Sequence, residues 1–220
     1  DSYQKIIDGC RQVIENYKPS IDIDPSWEMV ELGEICDVKG GKRLPKGEHF
    51  EKIPSNFPYL RVVDFKNYSI NQNNIHYISE KIFKIIKNYT ISSDDIYISI
   101  AGTIGLIGKV PAKLSGANLT ENAAKLVIKN KKSILQDFLM YVLGSPYVQN
   151  QIKNKTHAVG VPKLALERIR TIKIPICSIE KQKKLTESIN NDFQTIEDNK
   201  KLLEKNKNNI KNRINLIWNN

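Results

Sequence analysis

The sequence predicts an α+β fold, a β-rich globular domain followed by one long C-terminal helix of coiled-coil character. Three observations predict it. Between Trp27 and Ile176, short apolar runs alternate with Gly, Asn and Pro clusters, the pattern of many short strands. A few segments with helical apolar spacing interrupt those runs. From about Ser178 to Trp218 the chain then has neither proline nor glycine, and Ile189, Ile196, Leu203, Ile210 and Ile217 recur every seven residues.

At 220 residues, with 40% apolar and 26% charged, the chain fits one packed domain plus an appendage and is not disordered, collagen-like or a disulfide scaffold. The longest uncharged stretch, Ile96 to Gly108, is too short to span a bilayer. No secretory signal is visible, although Asp1 is not a start methionine. Cys10, Cys36 and Cys177 are odd in number and far apart, which fits a reducing compartment and a cytoplasmic protein. Neither they nor His49, His76 and His157 fall at ligand-pair spacing, so no metal site is expected.

The elements follow in chain order. Ile6, Ile7, Cys10, Val13, Ile14 and Tyr17 predict a short helix over residues 3–17, and Pro19 to Pro25 an extended linker, giving an N-terminal segment of residues 1–24. Strands are predicted at Tyr59–Val63, Ile75–Ile78, Ile96–Ile100, Leu106–Val110, Ala124–Ile128 and Thr171–Ile174. Helices are predicted over residues 134–143, 146–153 and 162–169, completing a domain of residues 25–177. The last segment, residues 178–220, would extend roughly 60 Å as a helix, more than a domain of this size can cover. Its seam therefore predicts a helical partner, through Leu185, Ile189, Phe193, Ile196, Leu203, Ile210, Ile214 and Ile217. Asp192, Asn199, Asn206 and Arg213 interrupt the complementary positions, so the partner is a specific one. A solvated helix clasping its own domain is the competing reading.

The formal charge is +10, and its location matters more than its size. The first twenty residues are neutral, residues 178–220 hold nine bases against six acids, and the remaining +7 falls between them. Lys39, Lys42, Arg43 and Lys46 form an acid-free run, and Lys153, Lys155, Lys163, Arg168, Arg170 and Lys173 are opposed only by Glu167. Clusters of this kind attract phosphate. The alternative is a solvated surface in a chain rich in Lys, Asn and Ile throughout.

Catalytic patterns are missing. Gly102, Gly105 and Gly108 do not follow a dinucleotide fingerprint or a Walker loop, and read as a turn between strands. Asp37-Val38-Lys39 and Asp64-Phe65-Lys66 offer Asp-x-Lys, but neither has the upstream Pro-Asp dipeptide that would accompany it in a metal-dependent nuclease. No GxSxG elbow, Asn/Asp-Pro-Pro-Tyr loop or glycine-rich methyl-donor motif is present. A non-catalytic binding module is therefore expected.

Several passages, taken in order, resemble one family. Trp27-Glu28-Met29-Val30-Glu31-Leu32-Gly33-Glu34-Ile35 with Val38-Lys39-Gly40-Gly41-Lys42-Arg43-Leu44-Pro45 resembles the opening of a target recognition domain in type I restriction-modification specificity subunits. Tyr59 to Phe65, Asp95 to Gly105 and Leu166 to Ile176 are similar to its first inner strands, its glycine turn and its exit into a spacer helix. Ser178-Ile179-Glu180-Lys181-Gln182 resembles the Glu-Gln start of that helix, with Lys181 inserted. The resemblance implies a module that recognises one part of a bipartite double-stranded DNA sequence and directs an adenine methyltransferase. It implies that S-adenosylmethionine binds the methyltransferase partner, leaving this chain without a cofactor. One recognition domain and one helix, where the family commonly has two of each, imply either a half-subunit that homodimerises or the specificity end of a fused polypeptide. The junction-like Ile14 to Pro19 favours the second.

The DNA-contacting residues expected are Lys42, Arg43 and Lys46 on a glycine-rich turn, Arg61 and Lys66 flanking a strand, Thr103 on the glycine turn, and His157 and Lys163 on a later loop. Arg61 is expected to fork onto guanine, or else to pair with Asp64. Alternative functions are a structural coiled-coil tether with only non-specific DNA affinity, and a metal-dependent nuclease.

Overall fold

The structure, a computed structural model, describes residues 5, 8–9, 12, 17, 19, 21–156 and 162–218, with side chains as far as Ile210. It divides into two compact units, Ser20–Lys183 and a second that joins Asp1–Pro19 with Lys184–Asn220.

The larger unit is α+β, as predicted. It opens with β1 (Glu28–Glu31), a single helical turn α1 (Leu32–Ile35) and β2 (Cys36–Gly40). Next come β3 (Pro58–Leu60), a 3-10 turn at Val62–Asp64, and the hairpin of β4 (Phe65–Lys66) and β5 (Ser69–Ile70). β6 (His76–Tyr77), α2 (Glu80–Ile86), β7 (Thr90–Ile91), β8 (Ile96–Ser99) and β9 (Ile107–Lys109) follow. β10 (Ala117–Leu119) and β11 (Ala123–Ile128) precede α3 (Gln136–Gly144), α4 (Pro146–Lys155), α5 (Leu166–Arg170) and β12 (Lys173–Ile176).

Two four-stranded sheets form the body, in the orders β6-β3-β10-β7 and β2-β11-β8-β9. β8 is buried along its whole length, as its apolar run Ile96-Tyr97-Ile98 requires. β11 pairs antiparallel on both sides, Ala124 facing Gly40 of β2 and Ile98 of β8. β1 and β12 pair separately, Glu28 opposite Ile176, and so bring the two ends of the unit together.

The interior includes two apolar clusters beneath the β6-β3-β10-β7 strands and their neighbours. Leu60, Phe65, Ile91, Tyr97 and Leu119 belong to one, with the Phe65 and Tyr97 rings stacked at 3.9 Å. Tyr59, Ile78, Ile82 and Ile86 form the other, joined by Leu44, Phe50 and Phe57. α3 is buried on every face from Phe138 to Leu143, which makes it a core helix. α4 begins with Ser145 as its cap, accepting from Val148 N, and Pro146 in its first turn, where no amide donor is needed.

Several boundaries differ from the sequence-based expectation. The strand at Tyr59–Val63 stops at Leu60, because Asp64 Oδ2 accepts a hydrogen bond from Arg61 N at 2.8 Å and folds the chain into the 3-10 turn. Helix was expected over residues 162–169, but Leu164 N donates to Ile100 O, Lys163 bridges Ala101, and helix begins only at Leu166. The unpredicted α2 is capped by Ser79 and buries Ile82 and Ile86, an i, i+4 pair. The glycine turn joins β8 to β9 as expected, with Gly102 and Gly105 at φ of 74° and 87°. Gly108 answers a different demand: a Cβ there would lie 2.3 Å from Tyr97 Oη and 2.5 Å from the Tyr68 carbonyl carbon.

A 40-residue helix, α6 (Ile179–Trp218), closes the chain. Its first turn belongs to the larger unit, where the buried Gln182 accepts from Leu135 N and donates to Ser133 O and Cys177 O. In the smaller unit the Tyr17 ring meets Phe193 edge-on at 5.4 Å, and Tyr17 Oη donates to Asp192. Along the seam Ile189 is buried, Leu185, Phe193, Ile196 and Leu203 are half-buried, and Ile210 is exposed. The side chains of Ile214 and Ile217 lie outside the described residues, as does most of the predicted 3–17 helix. No helix among the described residues is long and apolar enough to cross a membrane.

Candidate nucleic-acid interface

At one end of the β2-β11-β8-β9 sheet, five connections converge through backbone hydrogen bonds. Gly41 N donates to Ala123 O and Lys42 N to Leu119 O, tying the chain after β2 to the β10–β11 turn. Thr120 N donates to Leu60 O and Ile100 N to Asn122 O, adding the exits of β3 and β8. Leu164 N donates to Ile100 O, which brings in the segment before α5. Gly41 makes the first of these approaches feasible. A Cβ there would stand 2.1 Å from Thr120 O and 2.3 Å from Leu119 O, so this glycine serves close packing within the protein.

The connections enclose an open groove of about 370 Å³ between residues 43–63 and the Thr120-Glu121-Asn122 turn. Its aromatic floor is Tyr59, buried and 5.3 Å from the Phe50 ring, which in turn meets His76 edge-on at 4.5 Å. Tyr59 Oη donates to Lys42 O at 2.7 Å, holding the basic turn, and burial pushes its phenol up to about 12. Val63, 76% exposed, stands at the groove as an apolar side chain facing solvent.

Two arginine–carboxylate pairs border the groove. Arg43 Nε donates to Glu121 Oε1 at 2.6 Å, and Glu121 Oε2 accepts from Thr120 Oγ1 at 3.0 Å. Burial opposes ionisation of Glu121, but the hydrogen bond from Arg43 and those from its own backbone and Thr120 outweigh it and hold the carboxyl below its ordinary range. Arg61 donates from Nε and Nη2 to the two oxygens of Asp64, at 3.3 and 2.9 Å. Its second Nη2 hydrogen goes to Asn74 O, and Nη1 lies 3.1 Å from His76 Nε2. Of the two alternatives for Arg61, pairing with Asp64 is the arrangement present.

The structure brings together part of the expected set. Arg43 and Arg61 line the groove, and Lys42 adjoins it through its carbonyl, which accepts from Tyr59 Oη, while its Nζ lies 5.6 Å from the Tyr89 ring centre. Thr103 and Lys163 are exposed and joined through the Ala101–Lys163 bridge, next to the Ile100–Asn122 contact. Lys46 lies apart, on the exposed turn with Gly47, beside the Glu48–Lys81 ion pair. Lys66 also lies apart, on a hairpin turned by Asn67 and Tyr68 at φ of 50° and 57° and attached to β9 through the Tyr68–Gly108 bridge. His157 lies outside the described residues.

The acid-free runs are partly neutralised in space. Lys39 pairs with Asp37, Arg43 with Glu121, Arg170 with Glu167 and Lys173 with Glu31. Lys42, Lys46, Lys66 and Lys163 have no acidic partner among the described residues. Thr120, Glu121 and Asn122 carry no base, so the charge pattern does not point to them; a polar triplet between two apolar runs was the available signal. Neither Asp-x-Lys passage assembles carboxylates: Asp37 pairs with Lys39, and Asp64 is buried against Arg61. Among the described residues no group of three His, Cys, Asp or Glu could hold a metal.

Comparison with known proteins gives a consistent picture. Residues 25–213 match the family described as "Type I restriction modification DNA specificity domain". The Type I restriction enzyme EcoBI specificity subunit of Escherichia coli is 25% identical over 202 residues, 92% of this chain and 41% of that protein. Two solved chains share the fold. One, from work on complex assembly and conformational transition of the type I R-M system, has a TM-score of 0.65 at 15% identity and covers 95% of this chain and 50% of its own. The other, the HsdS subunit from Thermoanaerobacter tengcongensis, has a TM-score of 0.54 at 16% identity and covers 92% and 46%. The chain spans about half the length of the relatives it matches.

Proposed function

The chain belongs to the type I restriction-modification DNA specificity domain family, and on that premise we propose that it recognises one part of a double-stranded DNA target on behalf of an adenine methyltransferase complex. The observation that carries the proposal is an open groove lined by Arg43 and Arg61 at one end of a sheet, with Lys42 on the adjoining turn and Thr103 and Lys163 near the neighbouring Ile100–Asn122 contact. Backbone-anchored turns present the cations there, so little ordering is needed when DNA arrives. Phosphate contacts position a protein on the duplex, and groove contacts to base edges specify sequence. Lys42 and Lys163, exposed and without acidic partners among the described residues, suit the first task.

Residues 25–177 act as the recognition domain, and residues 178–220 pair with a second helix through the Ile189–Ile196–Leu203–Ile210 seam, from a second copy or a methyltransferase subunit. S-adenosylmethionine belongs to the methyltransferase, and the complex works in the cytoplasm. The experiment is selection of bound duplexes from a randomised pool by the purified chain, with its oligomeric state recorded. Enrichment of a short motif without cleavage supports the proposal. Retention that is independent of sequence and vanishes as salt rises, with and without a methyltransferase subunit, replaces it with a tether. Lys42→Ala is expected to weaken binding to all sequences alike and to lower the log–log salt slope by about 1.

A further inference from the structure

We propose that Arg43 is the residue that forks onto a guanine in the target and that Glu121 is the positioning residue that aims it; the assignment rests on the DNA-recognition reading above. A guanidinium carries five N–H donors, and bidentate recognition of guanine O6 and N7 needs two neighbouring donors left over. Arg61 cannot supply them as it stands. Asp64 takes one donor from Nε and one from Nη2, Asn74 O takes the other on Nη2, and His76 Nε2 faces one on Nη1. One N–H remains, and the Asp64 carboxylate that holds the group is only 4% exposed.

Arg43 has the opposite arrangement. Its sole hydrogen bond among the described residues runs from Nε to Glu121 Oε1, so both Nη groups, four N–H donors, stay unengaged. Its side chain is 78% exposed and lies at the groove. Contact at Nε alone orients the guanidinium plane while leaving the outer Nη1–Nη2 edge open. Glu121 is itself fixed, through Oε2 to Thr120 Oγ1 and through a backbone whose neighbours are tied to Leu60 and Ile100. The chain therefore contains a rigid carboxylate, an arginine held by its inner nitrogen, and a free outer fork over an open groove. Preorganisation of this kind turns a flexible cation into a base reader, because the rotamer is selected before DNA binds.

The carboxylate also discriminates by repulsion. Placed beside DNA, Glu121 raises the cost of any complex in which Arg43 leaves it for a phosphate, so the pair disfavours non-specific binding. This gives Glu121→Ala an unusual signature: sequence preference falls at one position, while affinity for unrelated DNA stays level or rises.

The test uses the whole chain and the motif selected from randomised DNA. Binding is measured to that motif, to single base-pair changes at each G·C position, and to duplexes with 7-deazaguanine, which removes N7. Wild type is expected to lose roughly tenfold or more at one guanine, for both the base change and the deaza substitution. Arg43→Ala and Arg43→Lys both abolish that discrimination and leave preference elsewhere intact. Glu121→Ala reduces it at the same position, Glu121→Gln restores part of it, and Arg43→Ala/Glu121→Ala discriminates no worse than Arg43→Ala alone. Preference that survives Arg43→Ala at every guanine, or a uniform loss rescued by lysine, would overturn the assignment and make Arg43 a phosphate contact. Lack of preference for any base in the wild type would overturn the DNA-recognition reading instead.

Discussion

Arg43 with Glu121 at the rim of the groove and Arg61 with Asp64 in its wall join the same chemical groups at similar separations, 2.6 and 2.9 Å, in different surroundings. Asp64 is 4% exposed and spends both oxygens on Arg61, one of them also accepting from the Arg61 amide. That pair shapes the chain, ending β3 and turning it into the β4–β5 hairpin. The rim pair has an arginine 78% exposed and does nothing for the path of the backbone. Burial thus separates a structural ion pair from one free to act on a ligand, since water screens the exposed pair and leaves its spare donors competent.

The comparison can be broken or sharpened by substitution. The largest effect is expected from Gly41→Ala, which drives a methyl group into the Leu119 and Thr120 carbonyls and separates the two turns that build the groove. A loss of about 3 kcal/mol or more in urea unfolding is expected, since neither neighbour is a side chain that can rotate away. Arg61→Ala should come next, at about 2 kcal/mol, because it strands a buried carboxylate. A smaller loss there, in the same unfolding experiment, would show that water reaches Asp64 and that the two pairs are alike.

Acid provides a gentler perturbation. Glu121 has its carboxyl held below the ordinary 4.5, so the stabilisation it gives is complete above that value and is lost as pH falls through its lower folded pKa. Its carboxyl resonance, followed by NMR, should titrate below 4.5 in the wild type and shift upward in Arg43→Ala, where burial is opposed by fewer hydrogen bonds. The smallest effect is on stability itself: Arg43→Ala should lower the urea midpoint only slightly, and by less than Arg61→Ala, since the guanidinium it removes is largely exposed and its pairing with Glu121 is screened by water.

Much of the fold could be read from residue spacing. The helix at Ile179–Trp218 announced itself through the absence of proline and glycine and the seven-residue isoleucine repeat. The glycine turn between β8 and β9 and the short strands at Ile96–Ser99 and Ala123–Ile128 were legible for the same reason, as local periodicity. The strand proposed at Tyr59–Val63 failed because the side chain of Asp64 competes for the backbone, which hydrophobic pattern does not register.

The candidate site was legible only in part. Charge alone pointed to Arg43 and Arg61, which do line the groove, and to Lys42 on the adjoining turn, but also to Lys46 and Lys66, which sit on turns elsewhere. Charge runs counted along the chain ignore acids that arrive from distant segments. Glu121 reaches Arg43 across 78 residues and Glu31 meets Lys173 through the β1–β12 pairing.

By itself the sequence determined the class of the protein: a basic α+β domain, a long helix with an interrupted apolar seam, and the ordered passages that place it in its family. Local spacing and composition suffice for these, because helix, strand and net charge are properties of neighbouring residues. Only the tertiary structure decided which arginine is spent and which is free, and which glycine serves the protein's own packing. Those outcomes depend on contacts between segments far apart in the chain. There, two arginines of identical intrinsic chemistry acquire different roles from the partners that the sheet brings to them.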